Sequence, residues 1–161
     1  MALSDLPAVL AIQRTCYGEG FVESAEVIAQ RLRSLGNLSC VAEHGGVVCA
    51  YLAAYRSRLG KITPLHGEFA SLPDPDTLYL HDMAVAPAAT GQRLAQRLVE
   101  HLWAQGRREG LVHTALVSVQ GSQTFWQQRG YTMCTLADPV QQHYLDSYGA
   151  GACFMAQRLG G

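Results

Sequence analysis

The stretch LYLHDMAVAPAATGQRLA, Leu78 to Ala95, decides how the rest of the chain is read. An apolar, β-prone run ends at Val85, Pro87 follows, and then come the small residues Ala88-Ala89-Thr90-Gly91. Helical spacing begins at once, with Leu94, Ala95, Leu98, Val99, Leu102 and Trp103 recurring on one face. The pattern predicts a strand over 78–85, a tight turn, and a helix from about Gly91 to Arg108. The first amides of a helix have no partner inside it, and the helix dipole favours negative charge there. Small residues leading into such an end make a phosphate cradle. The stretch therefore points to an enzyme that holds a pyrophosphate-bearing cofactor beside a buried strand.

Upstream, Ser4 is placed to cap a first helix carrying Leu6, Val9, Leu10, Ile12 and Gln13. Ser24 caps a second, with Val27, Ile28, Leu32 and Leu35 on one face and Gly36-Asn37 beyond its end. Leu38 to Glu43 reads as a strand, His44-Gly45-Gly46 as a hairpin turn and Val47 to Tyr55 as the returning strand. Residues 56–76 hold three prolines and no periodicity, and read as a long loop. Downstream of Gly110, Leu111 to Val119 is a strongly apolar strand, Ser122 to Arg129 a short helix, and Tyr131 to Leu136 another strand. A polar and aromatic loop then leads to a last strand, Ala152 to Leu159. Strands alternate with helices only in the second half, which predicts an α/β fold with a mixed sheet and helices on both faces.

Bulk properties narrow the function. A length of 161 residues suits one domain, 1–161, with a real core. A net charge of −1 leaves no basic footprint for nucleic acid. No apolar run approaches the ~20 residues that span a bilayer, and the N-terminus lacks the pattern of a signal peptide. The cysteines Cys16, Cys40, Cys49, Cys134 and Cys153 are odd in number and without CxxC spacing. They read as buried free thiols of a cytoplasmic protein, with no metal site.

Three segments resemble the GNAT superfamily of acyl-CoA N-acyltransferases. LHDMAVAPAATGQRLAQRLV is similar to its V-x-P turn followed by Arg/Gln-x-x-Gly-x-Gly/Ala. SVQGSQTFWQQRGY is similar to its later strand-to-helix segment, and SYGAGACFMAQRL to the closing hairpin of small bacterial members. The resemblance implies a twisted, mostly antiparallel sheet of about six to seven strands, here with the first strand short or missing. It departs at three places. Thr90 replaces the usual Arg or Gln, Arg93 replaces the middle glycine, and Trp126 stands where many members have a proton-donating tyrosine.

The resemblance also assigns roles. Backbone amides of Thr90, Gly91, Gln92, Arg93, Leu94 and Ala95 would surround the CoA pyrophosphate, with Arg93 able to add its guanidinium. Met83, Ala84 and Val85 would pair with the pantetheine arm through their backbone. Ser122, Phe125 and Trp126 would line the acetyl and thiol end, and indole cannot act as an acid. His81 and Asp82 are the candidate bases, because charged residues rarely enter an apolar strand without a partner or a job. Strand alternation sends them to opposite faces unless a bulge intervenes. Tyr17, Glu23, His66 and Tyr79 could face the acceptor, although a solvated surface position is the ordinary reading of each. The resulting expectation is acetyl transfer from acetyl-CoA to a primary amine of a small molecule or peptide, by direct attack in a ternary complex. A homodimer, paired through an exposed sheet edge, is expected with it. A non-catalytic acyl-CoA-binding domain is the alternative. A nucleotide-binding protein fits less well, since GxxxxGK[ST] and GxGxxG are both absent.

Overall fold

A computed structural model describes residues 1–160. Six strands form one sheet: β1 (Cys40–His44), β2 (Val47–Ser57), β3 (Thr77–Val85), β4 (His113–Ser118), β5 (Thr132–Met133) and β6 (Cys153–Arg158). Their spatial order is β1-β2-β3-β4-β6-β5. Every pairing is antiparallel except β3 with β4, which run parallel. The expected mixed sheet is therefore present, and the chain enters it without a strand before the first helix. Met1 instead donates its terminal ammonium to the Ser39 carbonyl.

Five α-helices cover the two faces: α1 (Leu6–Cys16), α2 (Ala25–Arg33), α3 (Leu94–Arg108), α4 (Gln123–Gln127) and α5 (Pro139–Asp146). On one face Leu94, Leu98, Val99 and Leu102 of α3 and Trp126 of α4 pack on Leu52, Ala54, Leu78, Leu80 and Leu116. Gly106 lets α3 come close, since a Cβ there would lie 2.7 Å from Leu159 Cδ2. On the other face Val9, Ile12 and Ile28 of α1 and α2 cover Tyr51 and Ala84. Tyr144 and Leu145 of α5 pack on the cluster of Tyr55, Tyr79 and Phe154.

Several local expectations are corrected. The first helix is preceded by a 3₁₀ turn at Leu3–Asp5, so Asp5 rather than Ser4 is its N-cap. Ser24 does cap α2, accepting from the Val27 amide, but Leu35 lies past the helix end and is 91% exposed. The strand after Gly130 is only two residues long, and the loop beyond it contains α5, opened by Pro139 and capped by Asp138. That helix organises the aperiodic loop after β2. Gln141 Oε1 accepts from the Ile62 amide at 2.7 Å, Ser147 Oγ from the Leu65 amide at 3.1 Å, and Tyr148 donates to the Thr63 carbonyl at 2.6 Å. The cysteines are unpaired but not buried: Cys16 and Cys134 are exposed and the other three partly so.

β3 carries a bulge. Ala53 pairs with Asp82 and its neighbour Ala54 with Leu80, so His81 is an extra residue. Alternation slips by one there. Leu78, Leu80, Met83 and Val85 all pack toward α3, whereas Tyr79, His81, Asp82 and Ala84 face α1, α2 and the loop. The expected opposition of His81 and Asp82 is thus replaced by a shared face.

Candidate functional site

β3 and β4 pair only from Thr77–His113 to Leu80–Leu116, and beyond that point no further pairing holds them together. The gap is a cleft of about 330 Å³. Leu52, Leu80 and Leu116 form its base, with Met83, Ser122, Phe125 and Trp126 on its sides. A second, smaller hollow lies against Phe21, Glu23, Leu65 and Tyr148. Both hollows reach Tyr17, His81, Asp82, Val117, Val119 and Gln120, so the bulged residues stand where they meet.

Asp82 is held by neutral donors alone. Tyr51 donates to its Oδ2 at 2.5 Å and Gln13 at 3.0 Å. The Tyr17 hydroxyl lies 2.6 Å from both Asp82 Oδ1 and the Met83 carbonyl oxygen, its one proton shared between two acceptors. Burial, and then the charge of Asp82, push both phenols far above their ordinary range, so they remain donors. No ion pair compensates Asp82 among the described residues.

His81 is anchored differently. Its side chain is 2% exposed, and its Nε2 lies 3.4 Å from Glu23 Oε1. Glu23 is clamped bidentately by Arg31, whose Nη2 reaches Oε1 at 2.6 Å while Nη1 reaches Oε2. Arg31 also donates to the Gly67 carbonyl from Nε at 2.9 Å and Nη2 at 2.6 Å, and lies over the Phe69 ring. Burial would raise the Glu23 pKa, but hydrogen bonds from His81 and Arg31 hold it well below the usual carboxylate range. Burial, reinforced by the Arg31 charge, lowers the His81 pKa below its ordinary 6.5. A carboxylate only accepts, so Nε2 carries the proton of the neutral ring and Nδ1 keeps its lone pair. Nδ1 is buried and has no partner.

The sequence placed Glu23 and Tyr79 on the solvated surface, and the structure corrects both. Glu23 is 4% exposed beneath His81, and Tyr79 is wholly buried beside it. Tyr17 joins the site through Asp82, whereas His66 is exposed at φ +62° and is not brought to it. Arg31, Tyr51 and Gln13 were missed. Their only signal was polarity on the buried faces of elements that were otherwise read as amphipathic.

The predicted phosphate loop begins with a 3₁₀ turn at Pro87–Ala89 and ends at Leu94, three residues later than the sequence placed the helix start. Gly91 has φ +85° and Arg93 φ +57°. Arg93 therefore occupies the left-handed conformation that a glycine takes without strain. Its side chain is exposed, as are Thr90 and Gln92. Among the described residues the amides of Gly91, Gln92, Arg93, Leu94, Ala95 and Gln96 make no hydrogen bond. Six free donors at a helix start suit an anion. Ser122 stands at the N-cap of α4, but its hydroxyl bonds Ser118 Oγ at 3.0 Å rather than capping. Trp126 packs edge-on against Phe125 and Tyr131. The Tyr131 hydroxyl is occupied, 3.1 Å from Trp103 Nε1 and 2.8 Å from Thr114 Oγ1, which leaves it a structural residue.

A sheet splayed between two parallel strands, with a loop of free amides between β3 and α3, is the architecture of a GNAT-type acyltransferase. A model of the Acetyltransferase (GNAT) family matches residues 6–131, and the chain belongs to that family. No curated protein matches it. Among solved structures it is similar to the ribosomal-protein-S18-alanine N-acetyltransferase of Escherichia coli, at 18% identity and TM-score 0.72, covering 100% of this chain and 92% of that one. The loading GNATL domain of CurA from Lyngbya majuscula gives 15% identity and TM-score 0.74, with 99% and 95% covered. The PaiA N-acetyltransferase of Thermoplasma acidophilum, solved with coenzyme A, gives 12% and 0.66, with 98% and 95% covered. No helix among the described residues is long and apolar enough to cross a membrane.

Proposed function

We propose that this acetyltransferase moves the acetyl group of acetyl-CoA to the primary amine of a small molecule or peptide. The observation that carries the reading is His81: a residue that borders both hollows, with a neutral imidazole whose Nε2 is anchored on Glu23 and whose Nδ1 is buried without a partner. A buried acceptor without a partner costs about 1–3 kcal/mol, which suits a group kept free for its substrate.

CoA enters from the larger cleft. The free amides of 91–96 hold its pyrophosphate, and the unpaired edge of Met83–Val85 takes the pantetheine arm as an added strand. An amide of that edge polarises the thioester carbonyl. The amine enters from the smaller hollow, and His81 Nδ1 takes its proton, directly or through one water. The nitrogen attacks the carbonyl carbon, the tetrahedral adduct collapses, and the C–S bond breaks. Trp126 cannot return a proton to the sulfur, so the Ser122 hydroxyl or a water relays to it the second proton that the nitrogen loses as the adduct collapses. Glu23 stabilises the imidazolium formed in between. Two copies pairing through the free edge of β1 form the homodimer of the proposal, which light scattering tests.

The same Trp126 supports a second reading, an acyl-CoA-binding domain without turnover, because α4 brings no ionisable group to the thiol end. Free-thiol release from acetyl-CoA with a panel of amines separates the two. His81→Ala is expected to lower turnover by about 10²–10⁴-fold with acetyl-CoA affinity nearly unchanged. Unaltered rate and pH profile in that variant would move the base elsewhere.

A further inference from the structure

The charge balance of the smaller hollow says what kind of amine it takes. Two carboxylates, Asp82 and Glu23, form its polar floor, and Phe21, Leu65, Val119 and Tyr148 its walls. Glu23 is neutralised by Arg31, which is 2% exposed, engaged with Glu23 and the Gly67 carbonyl, and not part of the lining. Asp82 has only Tyr17, Tyr51 and Gln13, all uncharged. Among the described residues the hollow thus carries one uncompensated negative charge and no lysine or arginine lines it; its free space is about 40 Å³.

On the amine-transfer reading above, we infer that the acceptor is a primary amine on a slim, uncharged stem, an alkyl- or aralkylamine with no carboxylate beside the nitrogen. Asp82 draws in the ammonium. The apolar and aromatic walls accept the stem, and the phenyl faces of Phe21 and Tyr148 favour a cation near them. A carboxylate on the carbon next to the nitrogen would enter this slot facing Asp82 and Glu23, with no cation to receive it. Like charges about 5 Å apart at an effective dielectric of about 20 repel enough to lower kcat/KM about a hundredfold.

The test uses three compounds that share one stem: phenethylamine, phenylalanine and phenylalaninamide. Thiol release from acetyl-CoA and calorimetric binding to the protein–CoA complex are measured for each. Phenethylamine is expected to exceed phenylalanine by about a hundredfold or more, and phenylalaninamide, branched but without the carboxylate, to recover most of the difference. A Leu65→Arg variant, which places a cation on the loop wall, is expected to narrow the gap between amine and amino acid at least tenfold. Equal or better use of phenylalanine by the native protein overturns the inference while leaving acetyl transfer standing. So does a phenylalaninamide as poor as phenylalanine, since shape rather than charge then decides. If no compound releases thiol, acetyl transfer fails, and the calorimetric order of the three still decides the charge preference. Absence of binding by all three overturns the inference.

Discussion

Replacing Arg31 with methionine isolates what the buried ion pair does. Methionine keeps most of the stem that lies against Phe69 but removes the guanidinium. Glu23, 4% exposed, is then left with His81 as its only side-chain partner, and the Gly67 carbonyl loses both of its donors. Breaking a buried pair by removing one member costs about 3–5 kcal/mol, because the remaining charge stays desolvated. In a chain of this size that corresponds to a fall in Tm of about 6–20 °C. Equilibrium unfolding in urea, followed by the fluorescence of Trp103 and Trp126, measures it. The loss has a pH signature. Without its cation Glu23 is buried and its pKa rises, so the variant recovers stability by protonating it as pH falls. The gap between native and variant protein is therefore expected to shrink from about pH 8 to about pH 5. Adding Glu23→Gln removes the stranded charge, and the double-mutant cycle is expected to give a coupling of about 2 kcal/mol. A single-variant loss under about 1 kcal/mol, or no coupling, would refute the claim that the pair holds the floor of the site.

Asp82→Asn swaps an acceptor of three hydrogen bonds for a group whose amide must face donors, and is expected to cost about 1–3 kcal/mol and to weaken amine binding. Denaturant midpoints and the KM for phenethylamine report the two effects. Gly91→Pro forces a φ of about −65° where the loop needs +85°, and it removes a free amide. Nothing lies within 4 Å of a Cβ there, so the strain is confined to the backbone: CoA affinity should fall at least about tenfold, with a loss of stability of about 1–3 kcal/mol, as read by calorimetry and thermal scanning. Stability should also decline on acidification in two stages. The His81 pKa is lower folded than its ordinary 6.5, and the Glu23 pKa is lower than its ordinary 4.5. The unfolded chain thus binds more protons than the native one, first below pH 6.5 and again below 4.5. A stability that is flat from neutrality to below 4.5 would contradict both assignments.

What could be read from the sequence follows how local each cause is. The strand, turn and helix of 77–108 were legible because alternation, Pro87 and the 3.6-residue period are contained within a few residues each. The helix start was placed too early because a left-handed residue was not anticipated at Arg93, where only the family's glycine would have announced it. α5 was hidden because just one of its residues, Gln141, is buried, and that residue serves the distant amide of Ile62. The floor of the site lies on three separate elements. Glu23 precedes α2, Arg31 sits on it, and His81 is 58 residues further on from Glu23, so their meeting is a product of packing. One signal was present and unused. The spacing Leu78, Leu80, Met83, Val85 is two, three, two, and the three marks a phase slip at His81-Asp82.

That slip sets a length scale. A regular strand offers one side chain in two to a given face, with successive same-face Cα atoms about 6.5 Å apart. Consecutive Cα atoms are about 3.8 Å apart. By carrying one residue more than β2, the strand sets an imidazole and a carboxylate as adjacent neighbours on one face, near enough to bear on a single incoming nitrogen. It also restores the apolar phase for Met83 and Val85. Strict alternation through the same residues would instead spread the polar pair across both faces and turn Asp82 into the leucine core beneath α3.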